Sequence, residues 1–453
     1  MTQSTSSGVT EALGRFVADL TVDDVPDEAI RVAERAILDT VGVTLAGAGT
    51  HATTCARGAA AGSGETTLLG REDRAPLSDA VFVNGTAGHA LDFDDVALPA
   101  MDGHPSVPMV APLLAVAERE GASGGDVLTA YVAGFETQNY LSRPLSPGHY
   151  EGGWHATSTV GLFGAAAAVA NLLEFSVEET VDALSIAASM PAGLKRNFGS
   201  TTKPLHAGQA ARSGTTAALL AAEGASADPT AIEGDRGYFD LYRGDGEPDL
   251  EALPELGSRW SVLEDGVDVK KYPCCYYTHA AIYAAIGVAD EFNLEPADID
   301  GIAVTASQAA ADALHHDDPA TGLEGKFSMP YVIGHAIAHR AVGLAAFEDD
   351  AIDDDGVQAV RERTTLVVDD DLAYDSNAAT VTVTTRDGET VERFEEKPPG
   401  THDDPLTIDE LHEKFRMCAA NAPIGVDANA ALEALDDLRA VEDVSAALEH
   451  LSS

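Results

Sequence analysis

Apolar residues recur every three to four positions through most of the first half of the chain, so the pattern there is helical. The stretch "PDEAIRVAERAILDTVGVTLAG" (26–47) opens with Pro and acids and then carries an apolar stripe. "GDVLTAYVAGFETQNYL" (125–141) repeats it. "STVGLFGAAAAVANLL" (158–173) is small and apolar nearly all round, which predicts a buried helix in close contact with its neighbours. "SVEETVDALSIAASM" (176–190) begins with a capping box, Ser176 with Glu179. "LHAGQAARSGTTAALLAAEG" (205–224) is a further small-residue helix.

The pattern then loosens. Residues 224–262 are rich in Gly, Asp and Pro and predict a long connection with one short helix. Beyond it the character changes. "THAAIYAAIGVADEF" (278–292) predicts a helix, "IDGIAVTAS" (299–307) alternates as a strand, and "KFSMPYVIGHAIAHRAVGLAAF" (326–347) predicts a second helix. "NAATVTVTTRDGETVERFEE" (377–396) predicts a hairpin turning at Asp387-Gly388 in a type I′ turn. Helices return in "TIDELHEKFRMCAA" (407–420) and "ANAALEALDDLRAVEDVSAALEHL" (428–451). The expected architecture is mostly α: a large helical domain from residues 1–265 and 400–453, with a smaller α+β lid domain over 266–399.

Composition sharpens this picture. The 453 residues exceed one ordinary core, in keeping with two domains. The formal net charge is −48, from 75 acids against 27 Lys and Arg. Such a field repels nucleic acid and anionic membrane, which excludes both as expected partners. The acids are spread over a chain of ordinary apolar content, as on the hydrated surface of a salt-adapted cytoplasmic protein. The acidic runs "FEDDAIDDDG" and "VVDDDLAYD" lack the spacing of a calcium-binding EF-hand loop. The start, "MTQSTSSGVTEALGRF", has no basic or apolar segment of a secretory signal. No apolar run is long enough to span a bilayer. Four scattered cysteines, Cys55, Cys274, Cys275 and Cys418, suit reduced thiols. No GxGxxG or Walker A motif supports nucleotide binding.

Lysine is the anomaly. Seven remain: Lys195, Lys203, Lys270, Lys271, Lys326, Lys397 and Lys414. On a surface depleted of lysine, those retained are enriched for irreplaceable ones. Lys203 sits in "FGSTTKPLHAGQAARSG" (198–214), just before Pro204 at a helix start. A cation there opposes the helix macrodipole unless an anion shares the place.

Four other stretches gather polar residues. "NGTAGHALDFDDVALPAMDGHPSVP" (84–108) holds Asp92, Asp94, Asp95 and His104. That set suits an acid/base pair, and equally a metal site or a capped, solvated turn. His155, in "EGGWHATST", precedes a buried helix and suits either an anion site or the core. In "VDVKKYPCCYYTHAAI", Lys270 and Lys271 point different ways, and Cys274 and Cys275 read as buried thiols. In "GLEGKFSMPYVIGHAIAHRAVG", Tyr331 is a candidate hydroxyl donor. His335 and His339 lie four apart without the Glu of HExxH, so they read as core histidines rather than as a metal pair. Together the histidines, lysines and carboxylates suit proton transfer on a small polycarboxylate.

The words "GHALDFDD…HPS", "GWHATSTVGLFGAAAA", "FGSTTKPLHAGQAARSG", "KKYPCCYYTH", "KFSMPYVIGHA" and "DDPLTIDELHEKFRMCA", in this order, resemble the MmgE/PrpD family across essentially the whole chain. Its members include 2-methylcitrate dehydratase, cis-aconitate decarboxylase and iminodisuccinate epimerase. The resemblance implies a helical domain with a smaller lid, a site in the cleft between them, a homodimer, and no metal or organic cofactor. It assigns the site to Asp92, His104, His155, Lys203, Lys270 and Tyr331. It implies a lyase of a di- or tricarboxylate, 2-methylcitrate dehydration first, with decarboxylation of cis-aconitate or epimerisation of iminodisuccinate as alternatives. In that reading Lys203 and Lys270 clamp carboxylates, Asp92 holds His104 as acid/base, and His155 and Tyr331 assist. The family often carries Thr after "DFDD"; here Val96 stands, which bears on the substrate. A non-catalytic carboxylate-binding scaffold is the contrasting class, and a site keeping all these residues argues against it.

Overall fold

A computed structural model describes residues 8–250, 253 and 256–452. It is mostly α, with a smaller sheet-containing part. The helical body is built from α1 (Asp27–Gly47), α2 (Leu77–His89), α3 (Val107–Glu120), α4 (Gly124–Ser142), α5 (Gly161–Leu172), α6 (Val177–Ala187) and α7 (Thr202–Ala222). The sheet-containing part carries α8 (His279–Glu291), α9 (Met329–His339) and α10 (Asp355–Arg361). The chain then returns to the body with α11 (Ile408–Ala420), which packs on α1. Among the described residues, no helix is long and apolar enough to cross a membrane.

Local chemistry explains the boundaries. Asp27 and Glu28 occupy the first turn of α1, where the macrodipole favours acids. Ser176 accepts from the Glu179 amide and Glu179 reaches back, the reciprocal cap expected from the sequence. α5 is buried all round from Gly161 to Ala170, and α7 packs on α2, α5 and α6. Small residues permit the close approach. A Cβ on Gly208 of α7 would stand 2.3 Å from Thr86 Oγ1 and 2.4 Å from the Phe82 carbonyl oxygen of α2.

Gly208→Ala is therefore expected to lower the thermal midpoint, because overpacking costs about 1–3 kcal/mol. Helix propensity returns less than that, about 1 kcal/mol. Gly58→Ala, where nothing lies within 4 Å of the added carbon, is the control and should not lower it.

The sheet has four strands in the order β2-β1-β3-β4, where β1 is Ile299–Ala306, β2 Thr364–Val368, β3 Ala379–Thr385 and β4 Thr390–Glu395. β1 runs parallel to β2 and antiparallel to β3. Ile299, Ile302, Val304, Val381 and Val383 point at α8, α9 and α10. They form a core that draws on residues between Tyr272 and Val391. A separate core unites α1 and α4 with Leu406, Leu411 and Phe415.

Several local expectations change. The helix expected over 326–347 is only α9. Ser328 caps its start, and Arg340 ends it in the left-handed conformation at φ 57°. The stretch 428–451 breaks into Ala428–Leu435 and Val444–Leu448 with short 3-10 turns. At the hairpin, the Gly388 amide bonds the Thr385 carbonyl and Gly388 alone takes positive φ (89°). A type I′ turn needs positive φ at both central residues, so this is instead a three-residue loop closed by a left-handed Gly. The connection 224–262 holds the short helices Tyr238–Tyr242 and Ser261–Glu264.

Candidate active site

α2 ends at His89, and the chain turns sharply into Asp92, which holds φ at 52°. A non-glycine residue in that region is uncommon and marks a site held by its surroundings. Here those surroundings are two ammonium groups. Asp92 Oδ1 lies 2.6 Å from Lys203 Nζ and 3.1 Å from Lys270 Nζ. Lys270 Nζ also donates to the Asp92 and Cys274 carbonyls. Lys203 stands in the first turn of α7, and the anion its position called for is Asp92 itself. Its ammonium sits over the rings of Phe198 and Phe327.

Lys203 is 5% exposed and Lys270 1%, so these charges interact in a medium far less screening than water. Burial pushes the Asp92 carboxyl upward, but Lys203 and Lys270 more than offset it and hold the group well below the usual carboxylate range. Burial likewise pushes Lys270 down, and Asp92 and Asp94 return it above its ordinary value.

His104 sits at the edge of this pair. Its Nε2 is 3.6 Å from Asp92 Oδ1, while its Nδ1 is 3.0 Å from Asp94 Oδ2. The orienting carboxylate is thus Asp94 rather than the expected Asp92. Asp94 also bonds His89 Nδ1 at 2.8 Å. The His104 amide donates to Thr157 Oγ1, which fixes the loop on the turn following His155. Burial is the main influence on His104 and takes it down to about 3 against the pull of Asp94. His155 is held well below its ordinary value by burial, and His206, 3.1 Å away between Nδ1 atoms, falls to about 4. At neutral pH these rings are uncharged and able to accept protons.

Asp92, His104, His155, Lys203 and Lys270 line one cavity of about 50 Å³, together with Val96, Leu98, Tyr150, Tyr277 and Phe327. Five of the six residues singled out from sequence thus come together. Tyr331 does not line the cavity. It is fully buried in the core of the sheet-containing part, its hydroxyl donating to the Ala346 carbonyl and lying 3.0 Å from His335 Nε2. His339 pairs at the surface with Asp354. Cys274 and Cys275 are buried, and burial pushes their thiols up to about 12 and about 11, so neither is a thiolate at neutral pH.

His89, Asp92, Asp94 and His104 offer ligand atoms within 4.8 Å of one another. The positive charge beside Asp92 is supplied by two ammoniums, and Asp94 is shared between two histidines. The arrangement fits a proton-transfer network. Three residues not singled out from sequence complete it: His89, and the hydroxyls of Tyr150 and Tyr277, which line the cavity without a hydrogen-bond partner among the described residues. The tyrosines carry no sequence signal, because only the closure of the two parts brings them there.

The chain matches the MmgE/PrpD N-terminal domain over residues 11–251 and the MmgE/PrpD C-terminal domain over residues 272–438. It is similar to the cis-aconitate decarboxylase of Mus musculus, 29% identical over 96% of this chain and 92% of the relative. The cis-aconitate decarboxylase of Homo sapiens is 28% identical over 96% and 93%. That of Aspergillus terreus is 25% identical over 92% and 90%. The chain belongs to the MmgE/PrpD family.

Proposed function

We propose that this chain is a lyase of small di- or tricarboxylates, working without metal or organic cofactor, with decarboxylation of cis-aconitate as its leading reaction. The observation that carries this reading is the Asp92 carboxylate bridging Lys203 and Lys270 beside His104 at the wall of one cavity. The relatives named cis-aconitate decarboxylase add support.

In this reading the ammoniums bind substrate carboxylates. As the C–CO2 bond breaks, its electron pair passes into the carbon framework conjugated with a remaining carboxylate. Lys203 and Lys270 stabilise that charge, because they are already fixed where it develops. His104 delivers one proton to carbon, so one proton is consumed for each CO2 released. Dehydration of a 2-hydroxytricarboxylate such as 2-methylcitrate is the second reading. Neutral His104 would then take the proton from carbon, and the unpaired Tyr150 and Tyr277 hydroxyls favour it as donors to the departing hydroxyl. Tyr331, engaged elsewhere, has no part in either.

The family resemblance supports a homodimer, and the charge of −48 supports a salt-rich cytoplasm.

Proton uptake tests the role of His104. Its ring is neutral in the empty site, with a value of about 3, and a bound polyanion favours the imidazolium. Calorimetric titration with a tricarboxylate, in buffers of differing ionisation enthalpy, should show proton uptake at neutral pH that falls in His104→Ala. Equal uptake in both proteins would contradict the assignment.

A further inference from the structure

Two of the retained lysines lie outside the cavity yet are as buried as those within it. Lys326 is 4% exposed and Lys414 7%. Neither uses its ammonium mainly on an exposed carboxylate. Lys326 Nζ donates to the Leu91 carbonyl at 2.7 Å and the Pro273 carbonyl at 2.6 Å. Lys414 Nζ donates to the Phe93 carbonyl at 2.9 Å and the Lys270 carbonyl at 2.8 Å, and pairs with Asp39 of α1 at 2.7 Å.

The four carbonyls are not a random set. Leu91 and Phe93 flank Asp92, and the other two are Lys270 and Pro273 on the facing segment. Each ammonium therefore spans the same two segments. Between them Lys270 Nζ reaches the Asp92 carbonyl and carboxylate. The backbone of Lys326 adds a third tie, its carbonyl accepting from the Cys275 amide.

We propose that Lys326 and Lys414 are positioning residues that hold the Asp92 and Lys270 segments in register, so that the Asp92–Lys203–Lys270 centre is assembled in one geometry. A compact ammonium suits the task, since its three donors fan out to separate carbonyls where a planar guanidinium would not. Lys326 precedes α9 and belongs with the sheet-containing part, whereas Leu91 belongs to the helical body. Its bond to Leu91 therefore couples the seating of one part on the other to the backbone beside Asp92. Lys414 performs the matching task from α11, anchored through Asp39 to α1.

Burial lowers Lys326 to about 8. Asp92 and Cys274 pull it upward, while Lys270 and Lys203 push it further down. Loss of its proton turns charge-assisted hydrogen bonds into weaker neutral ones.

The test rests on the proposed lyase reading for its kinetics and on hydrogen exchange for its independence from it. Lys326→Met is compared with Lys271→Met, a half-exposed lysine paired among the described residues with Glu410. In Lys326→Met, kcat is expected to fall by about 10²-fold with KM little changed, as for a misplaced catalytic group. Wild-type kcat is expected to decline as pH rises through about 8, and that decline should be absent from Lys326→Met. Backbone amides of residues 91–96 and 271–276 should exchange faster than in Lys271→Met. Wild-type kcat and pH profile in Lys326→Met would overturn the proposal. If the wild type converts none of the acids offered, the lyase reading fails and exchange decides alone: unchanged protection of both segments overturns the positioning role. Should Lys326→Met fail to fold, Lys414→Met with Asp39→Asn carries the same expectation for kcat and for exchange, with the pH profile unchanged, because it removes both charges of its buried pair together.

Discussion

Replacing His104 with alanine is expected to lower kcat on a polycarboxylate by about 10²–10⁴-fold, the usual contribution of a positioned acid/base group. The ring lies beside the Asp92–Lys203–Lys270 centre, at 3.6 Å from Asp92 Oδ1. Both its nitrogens are directed, Nδ1 at Asp94 and Nε2 toward Asp92. Affinity should change far less than turnover, since the carboxylate-binding ammoniums remain. Circular dichroism should show an intact fold, because the ring removed borders a cavity rather than filling the core. Steady-state kinetics by loss of substrate absorbance or by NMR reads the effect, and near-normal turnover would place the proton transfer elsewhere.

Lys203→Met should be nearly as severe, about 10²–10³-fold in kcat/KM, because a fixed charge aimed at the developing anion is lost. It also has a signature that a merely bulky defect lacks. In the wild type, burial raises the Asp92 carboxyl, and Lys203 and Lys270 reverse this. A carboxylate held below its unfolded value of about 3.9 stabilises the fold at all pH above that value. The benefit is lost only as pH falls through the lower, folded value. Without Lys203, one of the two offsetting charges is gone and the Asp92 value rises. Thermal midpoints measured from about pH 8 to about pH 2 should therefore fall less on acidification below about pH 4 in Lys203→Met than in the wild type, because the folded value of Asp92 then lies nearer the unfolded one. Parallel pH profiles for the two proteins would show that Lys203 does not hold Asp92.

Much of this is legible in the sequence. The capping box at Ser176 and the small-residue faces of α5 and α7 follow from local chemistry, and their signals lie within a few turns. The lysine argument also holds at the level of position: Lys203, Lys270, Lys326 and Lys414 are all buried, although only the first two were placed in the site. Lys326 and Lys414 escaped because their partners are carbonyls, which every residue owns and no sequence pattern marks.

Tyr331 differs from the sequence expectation for a related reason. Its hydroxyl looked available, but Ala346, fifteen residues on, supplies an acceptor through a turn with no signature. β2 was missed because its pairing with β1 is parallel and far in sequence, and its five residues alternate only weakly. α9 was drawn too long because its terminator is Arg340 in a left-handed conformation, where glycine is the usual signal. The expected Asp92–His104 pairing gave way to Asp94 because the sharp turn at Asp92 directs that carboxylate to the lysines.

The most direct test of the central claim is one NMR panel in concentrated KCl, offering cis-aconitate, 2-methylcitrate, citrate and iminodisuccinate precursors to the wild type and to His104→Ala. The expected result is loss of carbon dioxide from cis-aconitate, or of water from 2-methylcitrate, slowed about a hundredfold or more in the variant. A folded wild type that converts none of them, or a variant that converts them at the wild-type rate, would contradict it.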